Sequence, residues 1–354
     1  MPGHALFVCH AGEGLGLGHL SRSLALAQAV QREADWECTF LIQGSPVVRD
    51  GLDRFTHHFV PLASDLLAHV EPWLRATAHA TQRAIFFDLH PRHVPPALGT
   101  FLERLNLGAA INPASSILRV AIDGLFDLHS ALDVLWVPSF RLSEVARKQL
   151  NTIANNKVLF GWDCLLVNSP LRTTPWAAGP RVLVLTGGAD ATNLGRHWPH
   201  HLDAELPAST ELHWVKGPYA EPPALPPRSC LARVVEHVAP PSLTSLMHEV
   251  NYAVTVYGVT FYELLRAGIP TVVFSPYGNK DDAELREIER LKLALVARDE
   301  KHATDELKRM MKDSTLAQAL SAAGLAQMRG AYPHRLIERL RSEARRGCRD
   351  EVSV

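Results

Sequence analysis

Short apolar runs recur along this chain with room for a helix between most of them. Ala5 to Cys9, Cys38 to Ile42, Phe59-Val60, Ala84 to Phe87, Arg119 to Ile122, Val134 to Val137 and Val158 to Phe160 form the first series. They are largely continuous rather than alternating, so strands built from them are hydrophobic on both sides. Such strands, alternating with helices, predict an α/β fold with a parallel sheet covered on both faces. The pattern breaks at Leu166 to Pro180, which carries three prolines and no clear period, as a domain junction does. It restarts with Arg181 to Thr186, Leu212 to Val215, Leu231 to Val235, Ala253 to Val256, Thr271 to Phe274 and Ala294 to Val296. The expected organisation is a first βα domain over 1–165, a linker over 166–180, a second βα domain over 181–330 and a terminal segment over 331–354. Within that segment, Pro333 to Arg346 forms a basic amphipathic helix: Leu336, Ile337 and Leu340 are apolar, and Arg335, Arg339, Arg341, Arg345 and Arg346 are charged. It is expected to pack across the junction, back onto the first domain.

The first strand runs into Gly12, Gly14, Gly16 and Gly18, and an amphipathic helix opens at His19. Leu20, Leu24, Ala27 and Val30 recur at helical spacing, with Arg22, Gln28 and Arg32 mostly on the other side. A helix start presents unpaired N–H groups and the positive end of its dipole, and glycines let a ligand approach the backbone. Imidazole is the side chain whose ordinary pKa lies nearest neutrality. The stretch therefore reads as an anion site with a titratable group at its mouth. The plainer account, a glycine turn that binds nothing, leaves His19 unexplained. Two better-known phosphate loops are excluded. There is no GxxxxGK[ST], the glycine spacing never satisfies GxGxxG, and the second strand ends in Gln43-Gly44 where a ribose-binding acid would sit. A nicotinamide dinucleotide is not expected.

Two strands end in an acid, Asp88 and Asp123. The carboxyl ends of parallel strands line the ligand crevice, so both are candidates for contacting substrate or orienting His19, with helix capping or a turn as the alternative. In the second half, a strand delivers Gly187-Gly188-Ala189-Asp190-Ala191-Thr192-Asn193, a second glycine turn. A later strand ends at Tyr257. Gly258 permits a tight turn there, Thr260 can cap, and a helix of about two turns stops at Gly268 before Pro270. Backbone N–H groups near Val259 and Thr260 would face a diphosphate, and Glu263, one turn in, would accept from ribose hydroxyls.

Composition narrows the classes. With 354 residues, 47% hydrophobic and 21% charged, the chain suits an ordinary globular protein with room for two cores. A net charge of −1 gives no reason to expect nucleic acid or an anionic membrane as partner. No apolar run approaches the ~18 to 20 residues of a spanning helix, and no leader pattern opens the sequence, which points to a cytoplasmic protein. The five cysteines are scattered without a CxxC, as reduced thiols are. Of the eighteen histidines, His57-His58, His90-x-x-His93 and His197-x-x-His200-His201 lack the acidic or cysteine partners of a metal site. They are expected to be solvated loop residues, and no metal is expected.

Gly16-Leu17-Gly18-His19-Leu20-Ser21-Arg22 resembles the GxGHxxR signature of the UDP-sugar hydrolase of pseudaminic acid biosynthesis and its spore-coat polysaccharide relatives. The likeness continues in order through Asp88, Ile122-Asp123, Gly161-Trp162, Thr186-Gly187-Gly188-Ala189-Asp190 with Asn193, Val235-Glu236-His237, and Gly258 to Pro270. The chain departs from that family in Tyr257-Gly258-Val259-Thr260 and in the Leu-His-Pro that follows Asp88. The resemblance implies a GT-B fold, two facing Rossmann-like domains with parallel sheets and an interdomain cleft, needing neither metal nor cofactor. It implies that His19 is the catalytic base, that Asp88 holds its tautomer, and that a UDP-sugar is the substrate. Gly16, Gly18, Arg22, Gly187, Gly188, Asp190, Asn193, Gly258, Val259, Thr260 and Glu263 would then bind nucleotide, with the backbone near His237 and Val238 reading the uracil edge. The peptidoglycan transferase that makes lipid II shares the glycine-histidine loop logic. Hydrolysis with water as nucleophile is favoured, transfer to a small-molecule or glycan acceptor is the alternative, and binding without turnover is a third reading that His19 weighs against.

Overall fold

The computed structural model describes residues 3–80, 82–111, 116–142, 144–150, 157–167 and 174–350. Positions 168–173 of the expected linker lie outside them. The chain forms two compact units, Met1–Leu166 with Ala331–Val354, and Val167–Gly330.

The first unit runs β1 (His4–Ala11), α1 (Gly18–Ala34), β2 (Glu37–Gly44), β3 (Thr56–Val60), α2 (Leu66–Ala76), β4 (Arg83–Asp88), α3 (Leu98–Ile111), β5 (Leu118–Ile122), β6 (Val134–Trp136), α4 (Glu144–Leu150) and β7 (Val158–Leu159). Its sheet has the order β3-β2-β1-β4-β5-β6-β7, and every described pair is parallel. Side-chain alternation divides the core in two. Ala5, Phe7, Cys9 and Ala11 pack with Leu20, Leu24, Ala27 and Val30 of α1, and with Leu336, Ile337 and Leu340 of the terminal helix His334–Asp350. Leu6 and Val8 face the other way, against Leu66, Leu67 and Val70 of α2 and Leu98, Phe101 and Leu102 of α3. At the centre, Phe7 lies in register with Phe40 and Phe86, and its ring stacks on theirs at 5.0 and 4.5 Å. This three-ring row ties β2, β1 and β4 together. α1 carries the chain from β1 to β2 on one side, and α2 returns it to β4 on the other. The carboxyl ends of β1 and β4 thus flank the point where strand order reverses, where open α/β sheets bind ligands.

The second unit runs β8 (Arg181–Leu185), α5 (Trp198–Glu205), β9 (Glu211–Lys216), β10 (Arg233–Val238), α6 (Thr244–Glu249), β11 (Tyr252–Val256), α7 (Val259–Arg266), β12 (Thr271–Phe274), α8 (Asp282–Arg290), β13 (Leu295–Val296), α9 (Glu300–Lys312) and α10 (Ser314–Met328). The order β10-β9-β8-β11-β12-β13, again parallel in every described pair, puts its reversal between β8 and β11. Trp198 of α5 packs edge-on to Trp214 and Phe274, and its indole N–H donates to Thr304 Oγ1 of α9 at 3.0 Å.

Several element boundaries differ from expectation. The strand expected from Leu231 begins at Arg233, because the Asp203 carboxylate accepts the N–H groups of Cys230 and Leu231 and holds them in a turn. The first strand continues past Cys9 to Ala11 and takes His10 into the sheet. The terminal helix, α11 (His334–Asp350), extends beyond Arg346, and the side chains of Arg345 and Arg346 lie outside the description. Its Arg335 approaches the Asp163 carboxylate at 2.7 Å. No helix of the described residues is long and apolar enough to cross a membrane.

Candidate active site

The site of the first unit begins where β1 ends. Gly12 to Gly16 closes on itself, Gly16 N–H donating to Gly12 O at 2.8 Å, and the chain then enters α1 with Leu17 as its cap and Gly18 as its first residue. His19 and Arg22, three residues apart, share one face of α1. Both reach Asp88, the last residue of β4, whose side chain is wholly buried. His19 Nδ1 lies 2.6 Å from Asp88 Oδ1, while Arg22 grips the same carboxylate through Nε to Oδ2 and Nη2 to Oδ1, each at 2.6 Å. Arg22 Nη1 donates to Asp123 Oδ2 at 2.6 Å, so each nitrogen of the guanidinium serves an acid rather than a free anion site.

The electrostatics follow from these contacts. Burial alone would raise the pKa of Asp88, but the Arg22 charge overcomes it and holds the carboxyl below its usual range. Asp88 is therefore an anion that only accepts, and His19 must present Nδ1–H to it. Arg22 Nη2, a donor only, also comes within 3.0 Å of that nitrogen, but the carboxylate oxygen is nearer, at 2.6 Å, and needs a hydrogen on Nδ1. The lone pair of the neutral ring is left on Nε2, the arrangement of a general base. Cys9 lies beside Asp88 in register, and burial, with that carboxylate, pushes its thiol far above the usual range. It is no nucleophile.

Around His19 stand three further histidines. His90 and His93 are half-buried rather than solvated, because the turn after β4 folds them inward. The rings of His19 and His90 lie 6.0 Å apart, His90 and His93 5.5 Å, His10 and His93 6.0 Å, and His10 and His19 6.4 Å. Among the described residues, no group of His, Cys, Asp and Glu is arranged to hold a metal. His10 has no exposed surface, and burial pushes its pKa down to about 4. Sequence reasoning missed it; the signal was a lone polar residue in an apolar strand.

One prediction follows from that histidine. The unfolded chain takes up a proton on His10 near pH 6.5 while the folded one refuses it until about pH 4. Its neutral form therefore contributes stability above pH 6.5 that is lost as pH falls, roughly 3 kcal/mol by pH 4. Urea unfolding from pH 7 to pH 4, compared with His10→Asn, should show a correspondingly shallower loss in the variant.

The second unit gathers its expected residues at the carboxyl ends of β8, β11 and β10. Gly187 adopts φ +91°, and a Cβ there would meet Val256 at the end of β11. Gly188 O accepts Tyr219 N–H at 3.0 Å, fixing the turn from behind. Asp190 serves that turn itself: its two oxygens accept the N–H groups of Leu194 and Gly195 at 3.0 and 2.8 Å. Asn193 follows in the left-handed region, φ +55°. Gly258, not Thr260, is the residue at the cap of α7, with no side-chain hydrogen bond closing the helix end. Val259 and Thr260 form the first turn, and Glu263 is buried one turn on. His237 stacks on His213 across the β10–β9 edge with rings 5.2 Å apart, burial lowering the pKa of both, while Val238 beside it is largely exposed.

Gly18 and Gly258 share one property. Neither has a left-handed φ, and a Cβ built on either meets nothing within 4 Å. The protein's own atoms require glycine at neither position.

No protein-family model and no curated protein matches the sequence. Solved structures match it along nearly its whole length. UGT89C1 of Arabidopsis thaliana, complexed with UDP, aligns over 96% of this chain and 99% of its own at TM-score 0.59 and 14% identity. The fold is GT-B. CalG4, the calicheamicin glycosyltransferase, aligns over 97% and 98% at TM-score 0.57 and 15% identity, and MurG of Acinetobacter baumannii over 96% and 100% at 0.52 and 14%. At these identities the likeness is one of fold alone, and it does not confirm the hydrolase family that the motifs resemble.

Proposed function

We propose that this protein is an inverting glycosyltransferase that moves a sugar from a UDP-sugar to an acceptor hydroxyl or amine, with His19 as base. The observation that carries the reading is the 2.6 Å bond from His19 to a buried, ionised Asp88. His19 Nε2 takes the proton as the acceptor atom bonds to the anomeric carbon from the face opposite the diphosphate. The C–O bond to the diphosphate breaks and its electron pair leaves with UDP. A positioned base contributes roughly 10²–10⁴ in rate. The leaving diphosphate is the larger electrostatic demand, and we assign it to the N–H groups of Val259 and Thr260 at the start of α7 and to the Gly187-Gly188 turn. One oriented donor of this kind is worth ~3 kcal/mol. Glu263 is assigned to the ribose and the backbone at His237 and Val238 to the base. Arg22 acts through Asp88, which it keeps ionised. The resemblance of the motifs favours hydrolysis, with water in place of the acceptor. The transferases that share the fold favour transfer, and we adopt that assignment.

Purified protein incubated with a panel of UDP-sugars tests this directly. UDP release only when an acceptor is present supports transfer, and release in buffer alone supports hydrolysis. Failure of every nucleotide sugar to react or bind overturns both. The two unexplained glycines give a second measurement. Gly258→Ala should weaken UDP binding by about tenfold, and Gly18→Ala should lower turnover by about tenfold, while each shifts stability by no more than about 1 kcal/mol. Calorimetric titration with UDP and thermal melts separate the two effects.

A further inference from the structure

We propose that His10 is a positioning residue for this site: clamped between Gln43 and the backbone of His90, it holds the turn after β4 in the place that sets His90 beside His19. The inference rests on the transferase reading for its kinetic consequence and on hydrogen bonding alone for its geometry.

A chain of hydrogen bonds joins Gln43 through His10 to the turn after β4. Gln43, at the end of β2, points its amide nitrogen at three carbonyl oxygens, those of Pro61, Leu62 and Ser64, at 3.4, 3.1 and 2.9 Å. Reversing the amide would set its oxygen against all three, so Oε1 faces His10. His10 Nε2, 3.1 Å from Oε1, must therefore carry the ring's proton and donate it. The lone pair is then on Nδ1, which accepts His90 N–H at 2.8 Å. His90 in turn caps the turn Pro91–His93. Its Nδ1 accepts Arg92 N–H at 3.3 Å and its carbonyl accepts His93 N–H at 2.9 Å. One tautomer of His10 satisfies both of its partners, donating to Gln43 and accepting from His90. A charged His10 would set Nδ1–H against the His90 N–H, and burial resists that charge. The turn so fixed begins two residues after Asp88 and brings the His90 ring to 6.0 Å from His19. We assign that turn to the wall on which the acceptor rests.

Two substitutions divide the imidazole's roles. Asparagine places an oxygen where Nδ1 was and keeps the acceptor for His90 N–H. Glutamine places an N–H near Nε2 and keeps the donor to Gln43. Both weaken the fold. His10→Asn is expected to retain slow exchange of the His90 amide hydrogen, with acceptor KM within about threefold of the parent. His10→Gln is expected to speed that exchange and raise acceptor KM, each by about tenfold or more, with donor KM unchanged. Equal exchange in the two variants, or protection retained in His10→Gln, overturns the proposal. Nitrogen-15 spectra of the unaltered protein give a further reading: His10 protonated on Nε2 is expected, and protonation on Nδ1 overturns it. A protein inactive towards every acceptor would refute the transferase reading and leave the exchange and tautomer results to decide this one.

Discussion

Replacement of His19 by alanine is expected to lower turnover by about 10²–10⁴-fold and to leave UDP affinity within several-fold. The asymmetry is the substance of the prediction. His19 belongs to α1, and the residues assigned to the diphosphate, Gly187, Gly188, Val259 and Thr260, belong to the other unit. Loss of the imbalance would be informative in either direction. If UDP affinity fell with turnover, His19 would be a nucleotide ligand. Turnover that persisted would mean that no proton passes through this ring. Single-turnover rates and calorimetric UDP binding on the same preparation measure both quantities.

Asp88 carries the second large effect, and two substitutions separate its duties. Asp88→Ala leaves the Arg22 guanidinium, itself mostly buried, without its main counter-charge, and breaking such a pair from one side costs about 3–5 kcal/mol of stability. Asp88→Asn keeps the volume and offers the ring a neutral amide. The preference for Nδ1–H disappears, and turnover should drop by about two orders of magnitude with a smaller loss of stability. Chemical denaturation and turnover on both variants check this. Equal activity of Asp88→Asn and the parent would show that the carboxylate only braces the helix.

The sheets were legible because buried parallel strands announce themselves as apolar runs. β12 coincides with its expected span, Thr271 to Phe274, since Pro270 and Ser275 punctuate both ends. β10 did not, because Leu231 is buried by a turn that Asp203 organises, and hydrophobicity alone does not tell a turn from a strand. At the site, the sequence placed His19 at a helix start and Asp88 at a strand end, where the fold also has them. What it did not carry was partnership. Arg22, expected at a nucleotide, is committed to two acids 66 and 101 positions away. Asp190, expected likewise, binds the backbone four and five residues on, a local bond that a short acid in a glycine turn makes readily. His10 was passed over because its neighbours in the strand are apolar, and its meaning rests on Gln43 and His90, both distant in sequence.

The first unit is assembled from two stretches separated in sequence by the whole second unit, and this orders events during synthesis. Leu336, Ile337 and Leu340 complete the apolar layer over β1 and α1, yet they follow the whole of the second unit in the sequence. The intervening unit, continuous in the chain, has all its own strands available earlier. A nascent protein therefore holds a finished second unit and a first one whose hydrophobic flank is still bare, and that flank is where a chaperone would be engaged until the segment from Ala331 onward is made.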